Sequence, residues 1–230
     1  MTNRLKEMGE SRSWHLLVGA ARLGAEREGY KATKKPGRGL SNTWVLEKDG
    51  TADSAAIRTT RDRWLAFPPL EGGKRWKTLD DVDLVLVAAV DDPHDPQNVD
   101  VYLFPADEVR RRFDAAYQAR EQAGHTIRDN YGMWINLDPD QRGLPSSVGC
   151  GLAKAFPAIA RFSLDELMQG QAQEVAADVG EPDETEVEDM QAAAPALSTV
   201  GEVMAFARAE IARITNMPAA GIKLDLKIEY

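Results

Sequence analysis

Residues 82–109, VDLVLVAAVDDPHDPQNVDVYLFPADEV, decide the fold class that this sequence predicts. The apolar run 82–90 has the length and composition of a buried strand. Residues 99–104 form a second apolar strand, and Pro105 fixes a backbone angle suited to the first turn of a helix. Two apolar strands that lead directly into a helix predict a domain of the α/β class.

Hydrophobic periodicity and turn residues place further elements on both sides of this stretch. Residues 31–39 are predicted to form a basic loop, because Pro and Gly punctuate them, and Ser163 with Glu166 has the spacing of a capping box. We expect helices over 9–28 and, interrupted at Pro157, over 149–162, and strands over 43–47, 55–67 and 131–137. Together these elements predict a mixed central sheet flanked by helices within residues 1–168.

The C-terminal part of the chain is predicted to be organised differently. Residues 169–197 are rich in acids, alanine and glutamine and contain no aromatic residue, so we expect an acidic, disordered linker. Residues 198–230 are predicted to form a helix followed by a strand. The apolar positions of that strand alternate with charged ones and are candidates for docking or dimerisation: Ile222, Leu224, Leu226, Ile228 and Tyr230.

The composition of the chain limits the classes of function that the sequence predicts. The apolar runs are too short to cross a bilayer, and the N-terminus has no signal-peptide core, so we expect a soluble, cytoplasmic protein without membrane partners. A single cysteine, Cys150, excludes an intramolecular disulfide framework and an all-cysteine metal site. Neither the three histidines nor any phosphate-loop motif indicates a cofactor, and no metal site is expected.

Charge is distributed unevenly along the chain. The net charge is −9, yet residues 1–78 sum to +7 and residues 163–190 to −10. The basic third therefore offers donors for phosphate groups, with a solvated strand face as the alternative interpretation. Alternation along the strand places Arg58 and Thr60 on one face and Arg61 and Arg63 on the other. The candidate nucleic-acid-binding residues are Lys31, Lys34, Lys35, Arg38, Arg58, Thr60, Arg61 and Arg63.

Three tryptophans of this region are further candidates. Trp44, Trp64 and Trp76 have the flat rings on which bases stack. Packing in the core or at a sheet edge is the alternative, and the sequence favours it.

The order of elements over residues 14–137 resembles the PD-(D/E)xK restriction-endonuclease-like superfamily. The resemblance implies a carboxylate pair and a lysine that hold magnesium and activate water. The tripeptide at the second motif is Ala56-Ile57-Arg58, in which Ala56 cannot ligate a metal and Arg58 cannot act as a base. Asp49 or Asp53 stands at the first acidic position, where each is equally explained as a turn residue.

Three hypotheses of function follow. The preferred one is a catalytically degenerate nuclease-like protein that binds DNA, in a salt-sensitive manner, or an assembly that handles nucleic acid. The first alternative is a non-enzymatic adaptor that associates with itself or another protein through the C-terminal module. The second alternative is an active magnesium-dependent nuclease, with Asp49, Asp53 and Arg58 as the catalytic candidates.

Overall fold

The computed structural model describes residues 4–35 and 43–171, together with Lys223. Its helices are α1 (Arg4–Glu7), α2 (Glu10–Arg27), α3 (Ala106–Gln122), α4 (Leu152–Ala155) and α5 (Leu164–Glu166). Its strands are β1 (Lys31–Lys34), β2 (Thr43–Lys48), β3 (Thr51–Thr60), β4 (Trp64–Ala66), β5 (Pro69–Leu70), β6 (Arg75–Trp76), β7 (Leu84–Val90), β8 (Asn98–Pro105), β9 (Trp134–Asn136) and β10 (Ala160–Ser163). Short turns of 3-10 helix lie at Leu79–Asp81 and Pro145–Ser147, and a π-helical turn lies at Leu167–Gln171.

Six of these strands form one sheet, in the order β1-β2-β3-β7-β8-β10. The central pair, β3 and β7, is parallel, and the other neighbouring pairs are antiparallel. Tight turns suffice for antiparallel neighbours, and the Lys48–Thr51 connection uses Asp49 and Gly50 at φ of 50° and 80°. The sheet is mixed, which confirms the predicted α/β class and mixed central sheet.

Helices cover both faces of the main sheet. Side chains alternate along β8, so Tyr102 and Phe104 join the core cluster under α3, whereas Val101 faces α2. A Cβ atom placed on Gly24 of α2 would lie 2.7 Å from Cγ1 of Val101. Glycine therefore allows the helix to approach the sheet closely, as only the residue without a side chain can.

Two small antiparallel ribbons extend the core on the α3 side. β4 pairs with β9, and β5 pairs with β6. Leu65 and Ile135, which face each other in the β4–β9 ribbon, are both buried in the core cluster. The ribbon thus has an inner apolar face and an outer face.

The predicted strand over residues 55–67 is wrong in its extent. β3 begins at Thr51 and ends at Thr60. The Asp62 carboxylate accepts hydrogen bonds from the Thr60 hydroxyl, at 2.8 Å, and from the Trp64 backbone N–H, at 3.0 Å. Arg63 follows with φ of 64°, in the left-handed region, so the chain leaves the main sheet and enters the ribbon.

The basic loop predicted over 31–39 is wrong for its first four residues. Lys31–Lys34 pair with β2 as an edge strand, and Lys31 stands opposite Glu47. Opposite charges across an antiparallel pair stabilise it. The Pro and Gly residues that predicted a loop, Pro36, Gly37 and Gly39, all follow the strand.

The helix predicted over 149–162 is also wrong. Only Leu152–Ala155 is helical, and Ala160–Ser163 forms the edge strand β10 against β8. Pro157 prevents the helix from continuing, because it lacks a backbone N–H. The capping box at Ser163 and Glu166 is confirmed, and the strand predicted over 131–137 is reduced to Trp134–Asn136 and lies in the ribbon.

The predicted acidic linker from residue 172 onward and the predicted C-terminal module, apart from Lys223, lie outside the described residues, as does Arg38. Within the described part of the chain, no helix is long and apolar enough to span a membrane.

Candidate functional site

The predicted catalytic residues do not converge on one point. Asp49 lies in the exposed turn between β2 and β3. Asp53 and Arg58 lie five positions apart on β3, which puts their side chains on opposite faces, about 16 Å apart along the strand. Residues in this arrangement cannot share one metal ion.

The remaining position of the implied motif does not fit a magnesium ion either. Ala56 is fully buried in the core cluster and has no ligating atom. Among the residues that the structure describes, no group of three or more His, Cys, Asp and Glu side chains is arranged to hold a metal. The chain's residues at these positions therefore do not match the magnesium site that the resemblance implies.

The predicted basic residues of β3 are occupied by internal contacts. Arg58 is half-buried, lies 4.8 Å over the Phe67 ring and donates to the Ile57 carbonyl at 3.2 Å. Arg61 is on the opposite face, where it pairs with Glu10 of α2 at 3.1 Å. The alternation predicted for Arg58 and Arg61 is confirmed, and the two guanidinium groups do not share a surface. The face predicted for Arg63 is wrong, because Arg63 contacts Tyr102 of the core cluster under α3, on the Arg58 side.

The predicted lysines of β1 lie at the edge of the sheet. Lys31 and Lys35 are exposed, and Lys34 is half-buried. Hydrogen bonds from Ser54 lower the pKa of Asp83, and the charge of Lys35 contributes to that shift. Strand β2 separates these lysines from β3, so the structure does not bring the predicted set together.

Arg63, which is predicted to contact phosphates, is instead buried and connects three parts of the fold. Its Nε and Nη2 donate to both carboxylate oxygens of Asp138, at 2.6 and 2.9 Å. Its Nη1 donates to the Val90 carbonyl at 2.6 Å, and Nη2 also donates to the Tyr102 hydroxyl at 3.1 Å. A guanidinium with these partners holds β7, β8 and the end of β9 together and has little capacity left for a ligand.

The charge network extends from Arg63 to the sheet edge. Asp100 lies 3.8 Å from Arg63 and 3.3 Å from Arg161, which in turn pairs with Asp91 at 3.0 Å. Burial raises the pKa of Asp100, although both arginines act against that shift. Burial likewise raises the pKa of Tyr102. The perturbed groups are satisfied by one another, which is typical of a structural network.

The outer face of the β4–β9 ribbon carries a different set of side chains. Trp64 and Trp134 are half-buried on this face, and Tyr131 just before β9 is 44% exposed. The other two tryptophan candidates, Trp44 and Trp76, are 2% and 1% exposed and belong to the core. We call Trp64, Tyr131 and Trp134 the aromatic face.

The rings of the aromatic face are held in place locally. The Tyr131 and Trp134 rings meet edge to face, with centroids 6.0 Å apart. A Cβ atom on Gly132 would lie 2.3 Å from Cζ2 of Trp134, so the indole rests directly against the glycine backbone. Arg120 of α3 donates to the Trp134 carbonyl at 2.7 Å and fixes the strand from below.

Basic residues border one end of this face. The hairpin of β5 and β6 is attached to the segment before Tyr131, because Asp129 accepts from the Gly72 N–H at 3.0 Å and Asn130 N–H donates to Pro69. The hairpin contributes Lys74, Arg75 and Lys77, and the attached segment contributes Arg128. We call these four residues the basic border. The other end, near Trp64, carries the carboxylates of Asp62 and Asp138.

Cys150 does not supply a nucleophile to this region. Its sulfur accepts from the Asn136 N–H at 3.3 Å and donates to the Ser146 carbonyl at 3.4 Å. Burial raises the pKa of the thiol, which lowers its reactivity at neutral pH.

No family model, no curated protein and no solved structure matched this chain. The resemblance to the PD-(D/E)xK superfamily therefore stays a prediction.

Two features of the site escaped sequence reasoning. The role of Arg63 was hidden because RDR at positions 61–63 resembles a surface segment. Trp134 and Tyr131 were overlooked because the predicted strand 131–137 gave no sign of which face would be covered. Tyr131, Gly132 and Trp134 are nearly adjacent in the sequence. A glycine between two large aromatic residues is the signal that could have identified this surface.

We predict that replacement of Arg63 by methionine lowers the free energy of unfolding by about 3–5 kcal/mol, because the buried Asp100 and the Tyr102 hydroxyl lose their donor. Urea denaturation at pH 7 measures the loss. The matched control is Arg4→Met, which breaks a pair with Asp165 in which both side chains are exposed, and it should cost less than about 1 kcal/mol. Equal losses in the two variants would contradict the role of Arg63.

Proposed function

We propose that the domain binds nucleic acid without cleaving it. The observation that carries the proposal is the half-exposed aromatic face, together with the hydrogen bonds that join the segment before Tyr131 to the hairpin that carries most of the basic border. Aromatic rings stack on bases, and Lys and Arg side chains neutralise phosphates, so proteins that bind nucleic acid use the two together.

The basic border suits a ligand that brings its own negative charge. Lys74 is exposed, and Arg75 has only long contacts to Glu71 and Asp80, at 3.6 and 3.8 Å. The Arg75 and Glu71 side chains are both exposed, and long contacts at the surface are weak, so the guanidinium can exchange the contact with Glu71 for a phosphate at little cost. Arg128 is exposed in the same segment as Tyr131.

The absence of cleavage follows from the chemistry of the chain's own residues. Phosphodiester hydrolysis by nucleases of the resembled family needs carboxylates that hold a hard cation. The corresponding positions in this chain hold a buried alanine and two aspartates that do not share a site with Arg58.

We predict no cleavage of single- or double-stranded DNA by the purified protein in magnesium or manganese. Gel electrophoresis of the products measures it, with Asp49→Asn and Asp53→Asn proteins assayed beside the wild type. Cleavage that either substitution abolishes would show an active nuclease and contradict the proposal.

We predict that the double substitution Lys74→Glu with Arg128→Glu weakens DNA binding at least about tenfold and reduces its dependence on salt, since fewer phosphates are neutralised. Fluorescence anisotropy of a labelled oligonucleotide, titrated between about 50 and about 200 mM salt, measures both effects. Arg12→Glu with Lys154→Glu makes the same change in net charge at exposed positions of α2 and α4 and should have a small effect.

A second charge-reversal variant tests whether phosphates bind at the basic border or at the lysines in and next to β1. Lys31→Glu with Lys35→Glu alters the exposed β1 lysines that the sequence singled out. Loss of binding in this variant, with none in Lys74→Glu with Arg128→Glu, would place the phosphates on β1 and contradict the basic border.

An adaptor is the second function that we propose, and the position of β1 favours it. Within the described residues, β1 pairs with β2 alone, so its outer edge offers backbone N–H and C=O groups to a partner strand. The alternating residues 222–230 are the segment of this chain with the sequence pattern of such a strand.

We predict that the full chain self-associates and that Leu224→Asp with Leu226→Asp abolishes association, because carboxylates cannot enter an apolar interface. Light scattering measures the mass. Lys223→Asp with Lys227→Asp, at the polar positions of the same predicted strand, is the matched control and should leave association intact. A monomeric wild-type chain would contradict self-association through this predicted strand.

A further inference from the structure

We infer that the aromatic face binds unpaired bases, so that the ligand is single-stranded nucleic acid, and that Gly132 is the positioning residue that sets Trp134 for stacking. This inference rests on the proposed nucleic-acid binding and narrows it to one form of ligand and one surface.

The first step is the spacing of the rings. Trp64 stands opposite Asn136 and Trp134 stands opposite Ala66, so the two tryptophans are diagonal neighbours on the outer face of the ribbon. Diagonal positions on an antiparallel pair lie about 7–8 Å apart, within reach of aromatic side chains, yet the ring contact of Trp134 in the described residues is with Tyr131 and not with Trp64. Each ring is therefore available to a base of its own.

The second step is the fixed position of Trp134. Its six-membered ring packs on Gly132, where Cζ2 and Cη2 would lie 2.3 and 2.6 Å from an added Cβ. The Tyr131 ring meets it at an interplanar angle of 85°. A ring that is already held in place loses little freedom when a base stacks on it, so the contact contributes more to affinity.

The third step is the distribution of charge along the ribbon. The basic border lies at the Tyr131 end, while Asp62 and Asp138 lie at the Trp64 end. Phosphates are attracted to the first end, where the four basic side chains outnumber the nearby carboxylates of Glu71 and Asp129. A duplex is stiff and presents phosphates along its whole outside, whereas a flexible single strand can place a phosphate at the basic border and turn the neighbouring base onto a ring.

The fourth step is access to the base faces. In a duplex each base is stacked between its neighbours, and an aromatic side chain reaches its face only after the base has been unstacked. An unpaired base presents its face without that cost. Tyr131 is 44% exposed, so part of its ring is accessible to such a base.

The test compares the affinities of the full chain for a single-stranded oligonucleotide and for the matching duplex, by fluorescence anisotropy at one salt concentration. Tyr131→Ala and Gly132→Ala should each weaken single-strand binding about 5- to 150-fold and leave duplex binding nearly unchanged. Tyr30→Ala, a half-buried aromatic at the start of β1, is the matched control and should change neither affinity.

Gly132→Ala separates positioning from contact, because Trp134 remains while its ring is displaced. In a Trp134→Ala background, Gly132→Ala should have no further effect on affinity. Circular dichroism checks the fold of each variant, and the exposed Tyr131→Ala keeps the inference testable if Gly132→Ala fails to fold.

The outcomes separate the inference from the proposed function. Equal loss of single-strand and duplex binding, or no loss in Tyr131→Ala, would overturn the inference while Lys74→Glu with Arg128→Glu still tests the function. Failure of the wild-type chain to bind either form at low salt would overturn both.

Discussion

The Arg63 guanidinium is the interaction on which the rest of the structure depends. Its donors reach the carbonyl at the end of β7, the hydroxyl of Tyr102 on β8 and the carboxylate of Asp138 after β9. Those three groups belong to the main sheet and to the β4–β9 ribbon, so one side chain joins the two. Because Arg63 has φ of 64°, the same residue also turns the chain from β3 into β4.

Arginines that bond within the fold explain why the basic residues of β3 and the turn after it do not identify a ligand-binding surface. Arg58, Arg61 and Arg63 all have partners within the fold: the Phe67 ring, Glu10, and Asp138 with Tyr102. A buried guanidinium without partners would carry a large desolvation cost, so the internal contacts are a condition of folding. Positive charge that is free to meet a ligand lies on short, exposed elements such as the β5–β6 hairpin.

The parts of the fold that the sequence predicts are those with strong local patterns. β7, β8, α2 and α3 have apolar runs or helical periodicity and were located to within a few residues. β1 and β10 escape because they are four residues long and their stability comes from pairing with distant strands, and the three-residue strands of the ribbon are predicted only as parts of longer strands. The candidate site escapes for the same reason, since nothing local distinguishes the half-exposed Trp64 from the buried Trp44 and Trp76.

The two faces of the ribbon differ in role: the inner face packs in the core, and the outer face carries the proposed binding surface. Its inner face, with Leu65 and Ile135, belongs to the core, and Asp138 ties its end to Arg63. Its outer face contributes little to the core, because successive side chains along a strand point to opposite faces. Substitutions on the outer face therefore test the proposed recognition with small effects on folding, whereas substitutions one position away act on folding first. A loss of affinity at Tyr131 is for this reason a measure of the contact itself.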